Sequence, residues 1–159
     1  ASCSACVAPV LVPINITLCA SPTYLDRNGK PNSPTALTHH QCLAYNLTSN
    51  YEYWNLYDVE GQVTRIKITP YLKASNGEFL RDAAVDGLGI ALIPTFIVYK
   101  EIESGALVPI LDRYCYSSLA VYAIYPQTRH LSQRVRVFID FLIKRFEKCP
   151  YWDSHLTKR

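Results

Sequence analysis

Two hydrophobic rhythms run along this chain. Period-two alternation marks "QVTRIKI" (62–68), where Thr64, Ile66 and Ile68 face one side and Val63, Arg65 and Lys67 the other. That is the pattern of a sheet with one wet face. "YEYWNLY" (51–57) reads as its partner, joined to it by "DVEG" (58–61), a hairpin-type turn. "GIALIP" (89–94) is a continuous apolar run, as in a buried strand in the middle of a parallel sheet. "INITLCA" (14–20), "QCLAYN" (41–46), "YLKA" (71–74), "ALVPIL" (106–111) and "LAVYAIYP" (119–126) complete the predicted strands.

Helical signals fall between them. Ser21 followed by Pro22 predicts an N-cap and first helical residue, with Asn28-Gly29 as the stop. "SPTAL" (33–37) repeats the start signal for a single turn. A helix over about 76–86 begins with Ser75-x-x-Glu78, a capping box, buries Phe79, Leu80, Ala83 and Ala84, and ends at a left-handed Gly87. "TFIVYKEIESG" (95–105) predicts another helix. From Ser132, Val135, Phe138, Ile139, Leu142, Ile143 and Phe146 recur at three- and four-residue steps, giving an amphipathic helix of about four turns. Residues 148–159 read as a tail. Helix, strand, helix, strand with short connections is α/β winding.

Composition narrows the class. The chain has 159 residues, 49% hydrophobic and 18% charged, which suits one globular domain and argues against disorder. No apolar run approaches the ~18 residues that span a bilayer. A net charge of +3 is a weak footprint for nucleic-acid binding by this chain itself. Methionine is absent, which favours a processed chain or a piece of a longer one. The opening "ASCSACVAPVLVP" lacks the basic start and long apolar core of a signal peptide.

Six cysteines (3, 6, 19, 42, 115, 149) and two sequons, Asn15-Ile16-Thr17 and Asn46-Leu47-Thr48, allow a secreted disulfide-linked module. Cys19 and Cys42 sit inside apolar runs, however, where free cysteine acts as a small hydrophobe, and the reducing, cytoplasmic reading is preferred.

Catalytic and cofactor motifs do not assemble. Gly87-Leu88-Gly89 follows a helix and precedes a strand, the reverse of the dinucleotide fingerprint. Cys3-x-x-Cys6 has no second matched pair for zinc, and His39-His40, His130 and His155 lack ligand spacing. Glu78, Asp82 and Asp86 step by four along one helix, the pattern of a solvated charged face. No nucleophile elbow, zinc-protease motif or phosphate loop occurs. No cofactor, no metal and no enzyme activity are therefore expected. What remains is "YLKASNGE", a strand, a polar turn and a helix start, where backbone N–H groups near Asn76 and Gly77 could hold a carboxylate. Capping accounts for Ser75 and Glu78; it leaves Asn76 and Gly77 unexplained.

As an ordered set, "LCASPTYLDRNGKPNSPTALTHHQCL", "SNGEFLRDAAVDGLGIALIPTFIV", "SGALVPIL" and "YAIYPQTRHLSQRVRVFIDFLIKRF" resemble the C-terminal regulatory domain of LysR-type bacterial transcription regulators. The resemblance covers about residues 14–147. It implies an α/β fold like the type-two periplasmic binding proteins, mostly the second subdomain plus part of the first. Residues 14–120 would be subdomain two, and 1–13 with 121–147 a partial subdomain one. Two crossover strands, in or near "INITLCA" and "LAVYAIYP", would pair antiparallel. The family senses a small organic effector, so Ser75, Asn76 and Gly77, with Tyr125 at the end of a crossover strand, become ligand-binding candidates.

The resemblance further implies a homo-oligomer through the regulatory domain, and DNA contact only through a winged helix-turn-helix domain that this chain does not contain. Two departures stand out. The first part of subdomain one has no counterpart here, and Asn15-Ile16 stands where the family has paired arginines. A piece of a longer regulator and the product of a decayed gene both fit. The alternatives are the secreted module above and an exported solute-binding protein of the same architecture.

Overall fold

The computed structural model describes residues 6–7, 10–46, 50–116, 119–126, 132–146 and 150–153. In chain order the elements are strands β1 (Cys6–Val7), β2 (Val10–Ile14) and β3 (Ile16–Ala20), then helix α1 (Pro22–Asn28) and a 3-10 helix (Pro34–His39). Strands β4 (Cys42–Tyr45), β5 (Tyr53–Tyr57), β6 (Val63–Lys67) and β7 (Pro70–Ala74) lead to helix α2 (Gly77–Val85). Next come β8 (Ile90–Pro94), α3 (Thr95–Glu103), β9 (Val108–Ile110), β10 (Cys115–Tyr116), β11 (Leu119–Tyr122) and β12 (Tyr125–Pro126). Helix α4 (Gln133–Phe146) and a short 3-10 turn (Tyr151–Asp153) close the described part. That turn forms within the segment expected to be a tail.

The chain divides into two compact units, Asn15–Ser117 and Ala1–Ile14 with Ser118–Arg159. The first is built on a five-stranded sheet in the order β7-β4-β8-β3-β9. β4 runs parallel to β7 and β8, and β3 runs antiparallel to β8 and β9. "GIALIP" thus lies mid-sheet as expected, but the sheet is mixed.

Successive residues of one strand point to opposite faces. Leu18 and Ala20 therefore join one core with Tyr24, Leu37, Cys42, Ala44 and Ile90. Cys19 joins a second core with Leu43, Leu80, Ala84, Ala91, Ile93 and Val98. Helices α2 and α3 cover this second face. The first face is closed by α1, the 3-10 helix and a three-stranded sheet ordered β10-β5-β6, which contributes Trp54, Leu56 and Ile66. Covering on both faces is why these strands are apolar without alternation. The β5–β6 hairpin has a wet side, and Ile66 and Ile68 are buried while Val63, Arg65 and Lys67 are exposed, as the alternation predicts.

Helix starts follow the local signals at α1, where the Ser21 side chain accepts the Tyr24 N–H and Gly29 leaves the helix at φ 81°. The end of α2 is a Schellman motif. The Gly87 N–H bonds to the Ala84 carbonyl and the Leu88 N–H to the Ala83 carbonyl, with Gly87 at φ 79°. Gly89 is required for a different reason: any Cβ there would collide with the Gln41 carbonyl oxygen.

The second unit is an antiparallel ribbon. β2 pairs β11 from Leu119 opposite Ile14 to Tyr122 opposite Val10, and β1 pairs β12 beyond an irregularity at Val121/Tyr122. The antiparallel pairing expected of 119–126 with a strand in or near 14–20 is present: Val10–Ile14 and Cys6–Val7 are the partners, and residues 16–20 pair with β8 and β9. The predicted single strand 119–126 is also broken at Ala123–Ile124. Helix α4 packs on β2.

Candidate functional site

The polar corner lies where β7 ends and α2 begins, on the Asn15–Ser117 unit. Asn76, not Ser75, is the N-cap. Its backbone is extended (φ −113°, ψ 121°), and its Oδ1 accepts the N–H groups of Glu78 at 2.8 Å and Phe79 at 3.1 Å. The expected Ser75–Glu78 capping box is therefore corrected. An asparagine one residue later reaches two of the helix's free N–H groups at once, which leaves no role at the cap for the Ser75 hydroxyl. Ser75 and Asn76 are both exposed.

Gly77 opens α2 and is buried. A Cβ at this position would stand 2.5 Å from Ile97 Cδ1 of α3 and 3.7 Å from Tyr45 Cε2 of β4. Close approach of α3 thus accounts for the glycine that the capping pattern left unexplained. Phe79, expected in the core, is 53% exposed, while Leu80, Ala83 and Ala84 are buried as expected. The first turn of α2 also carries Glu78, aligned with the positive end of the helix dipole.

Lys73, two residues before Ser75, donates to the Tyr51 hydroxyl at 2.9 Å and sits 4.6 Å from the centre of that ring. Glu52 lies 4.0 Å away. The bond to Tyr51, ahead of the nearby Glu52 charge, raises the Lys73 pKa and keeps the amine cationic. That cation is engaged with Tyr51, on the sheet face opposite α2, so the corner itself combines exposed Ser75 and Asn76 with the N-terminal dipole of α2. Tyr125 lies in β12 of the other unit, so the structure gathers Ser75, Asn76 and Gly77 in one place and describes Tyr125 separately.

The remaining candidates resolve as structure. Asp82 pairs with its neighbour Arg81 at 2.8 Å, and Arg81 also reaches Glu101 of α3 at 3.6 Å, so the acidic steps of α2 belong to a salt-linked surface. Among the described residues no three potential metal ligands cluster. Cys19 and Cys42 are free and buried, and burial pushes both thiols up to about 12, which leaves them without thiolate at neutral pH. Cys3 and Cys149 lie outside the described residues, while Cys6 is in β1 and Cys115 in β10. Among those described, no helix is long and apolar enough to cross a membrane.

Comparison with known proteins defines the class. The LysR substrate binding domain family matches residues 4–147, ten residues more at the N-terminal side than the resemblance over 14–147. The chain belongs to this family, the effector-binding domain of LysR-type transcriptional regulators. It is 36% identical over 126 residues to the HTH-type transcriptional regulator CrgA of Neisseria meningitidis serogroup C, covering 79% of this chain and 42% of that protein. The HTH-type regulator DmlR of Escherichia coli K12 is 35% identical over 130 residues, covering 81% and 42%.

Among solved structures, the CrgA regulatory domain superposes with a TM-score of 0.74 at 32% identity, covering 91% of this chain and 70% of that one. Full-length AphB, the Vibrio cholerae virulence activator, superposes with a TM-score of 0.76 at 29% identity, covering 91% and 49%. This chain spans less than half the length of the curated relatives named here, and those relatives are transcription regulators. The expected type-two periplasmic-binding-protein-like α/β fold stands.

Proposed function

We propose that this chain is the effector-sensing part of a LysR-type regulator acting in the cytoplasm, and that it binds rather than transforms its ligand. The effector is a small organic molecule bearing a carboxylate. In this reading residues 14–120 are most of subdomain two, and 1–13 with 121–147 contribute part of subdomain one; the division into Asn15–Ser117 and the remainder supports it. The observation that carries the ligand assignment is the β7–α2 corner. Ser75 and Asn76 are open to solvent at the positive end of α2. Asn76 Oδ1 is engaged in the cap, so the ligand would be met by the Asn76 amide N–H2, the Ser75 hydroxyl and the backbone N–H of Gly77. Tyr125 is a second, separate candidate.

In the full-length regulator, homo-oligomeric through this domain, DNA is bound by an N-terminal winged helix-turn-helix domain. Ligand changes operator binding only if it favours one arrangement of the oligomer over another. The experiment is a panel of small organic acids tested on the full-length regulator for a rise in melting temperature and a changed DNA footprint. At least one acid should do both, and Asn76→Asp should abolish the response, because it preserves the cap acceptor while repelling a carboxylate. If no acid acts, or if Asn76→Asp responds like the parent, the corner is not the effector site.

A further inference from the structure

Beyond this corner, most chemically suggestive clusters are accounted for by packing. Arg65 lies 4.2 Å over the Tyr53 ring across the β5–β6 pair, an ordinary solvated cross-strand contact. The outer side of α4 is apolar, but nothing shows what covers it. One cluster on the opposite sheet face from the β7–α2 corner does more than pack. The Tyr24 side chain is almost fully buried, and its hydroxyl accepts the Gln41 N–H at 2.9 Å and stands 3.1 Å from His40 Nδ1. With Gln41 as donor on one side, the hydroxyl hydrogen is free to be given to Nδ1 whenever that ring nitrogen is unprotonated.

Gln41 is a junction. Its carbonyl accepts the Ile90 N–H at 2.8 Å, opening the β4–β8 pairing, and Gly89 lies so close to that carbonyl that no side chain fits. We propose that the His40–Tyr24 hydrogen bond is a proton-controlled latch on this junction, closed with neutral imidazole and opened when the ring gains its second proton. Protonation would set an N–H against the hydroxyl hydrogen, which must turn away inside a buried pocket where it has no alternative acceptor among the neighbours named.

The groups around His40 favour the closed state. His39 adjoins it on the 3-10 helix, Tyr24 faces it from α1, and Cys42 of β4 donates its thiol to the His40 and Leu37 carbonyls at 3.6 Å. β6 also packs on the 3-10 helix, with Ile66 turned inward and Arg65 and Lys67 on its exposed side. Burial first, and the neighbouring His39 second, hold the His40 pKa below its ordinary value. The latch does not depend on the effector reading.

Amide hydrogen exchange on the whole chain, followed by NMR at pH 7.5 and 5.5 and corrected for intrinsic rates, tests it. Protection of Gln41 should fall about tenfold at the lower pH relative to Leu43 and Ala91, the loss expected for one hydrogen bond. His40→Asn, whose amide oxygen can replace Nδ1 as acceptor, should keep Gln41 protected at both pH values. His39→Asn should retain the pH response. The latch is refuted if Gln41 is equally protected at both pH values, if it weakens only in step with Leu43 and Ala91, or if His40→Asn still responds to pH.

Discussion

Asn15–Ser117 and the remainder of the chain are made from the same kinds of element but bury their apolar residues very differently. In the first, Leu18, Leu43, Ile90 and Ile93 are all 0% exposed, because helices lie on one face of the sheet and the β5–β6 layer on the other. In the second, the buried apolar side chains among the described residues are Val12 and Ile139, while Val137, Phe138 and Phe141 of α4 are each 60% exposed. A two-stranded ribbon with one helix cannot enclose a helix that is apolar on more than one side. Amphipathic periodicity therefore predicts α4 correctly but says nothing of whether its partners are present. The β7–α2 corner rides on the unit whose core is closed on both faces, which is where a preorganised site can be held.

Large-to-small changes should separate the two units most sharply. Leu43→Ala, in a central strand, is expected to cost about 2–5 kcal/mol in urea unfolding. Ile139→Ala should cost no more than about 2 kcal/mol, because its surroundings are half open and can relax. Equal losses would remove the distinction.

Next in size is the helix cap at the corner. Asn76→Ala should lose about 1 kcal/mol, whereas Ser75→Ala should stay within about 0.5 kcal/mol. The reverse order would restore the capping box. Asn76→Asp should unfold at the parent's denaturant midpoint or above it, which confines its expected defect to ligand binding.

Phe141→Ser addresses the open unit. Its stability should remain within about 0.5 kcal/mol of the parent, as for other exposed positions, while binding of a hydrophobic dye falls. A large loss of stability would mean that the residue is covered.

The smallest effect is with pH. His40 has a lowered pKa in the fold, so as pH falls the unfolded chain takes up its proton first. This group's contribution to stability is complete above its ordinary value of 6.5 and declines as pH drops from there toward the folded value. Urea midpoints at pH 7.5 and 5.5 should move in that direction for the parent and not for His40→Asn, once other titrating groups are cancelled by the comparison.

Much of this architecture was legible from short-range signals. Ser21-Pro22, Gly87 and the alternation through Val63–Lys67 each act over a few residues, and the structure uses them as read. Tertiary choices were less legible. Whether Ser75 or Asn76 caps α2 depends on which residue is extended and can reach two N–H groups, and both residue types are competent caps. Phe79 fits the apolar spacing of α2 but lies outside the covered face. The partner of 119–122 was legible only to within a few residues, because 10–14 and 16–20 are both apolar. For the candidate site, the position of the polar corner could be read, but the reason for Gly77 could not. It lies in Ile97, twenty residues away in sequence and adjacent only after α3 has packed on α2.

The account rests on the corner being carried by a closed, cooperative core that the rest of the chain does not share. Site-resolved hydrogen exchange of the whole chain under native conditions tests this most directly. Amides of β3, β4 and β8 should exchange slowest, with α2 close behind them, while those of β11 and α4 exchange many times faster. Protection of α4 equal to that of β8 would contradict the account, as would a β4–β8 pair that exchanges as readily as the ribbon.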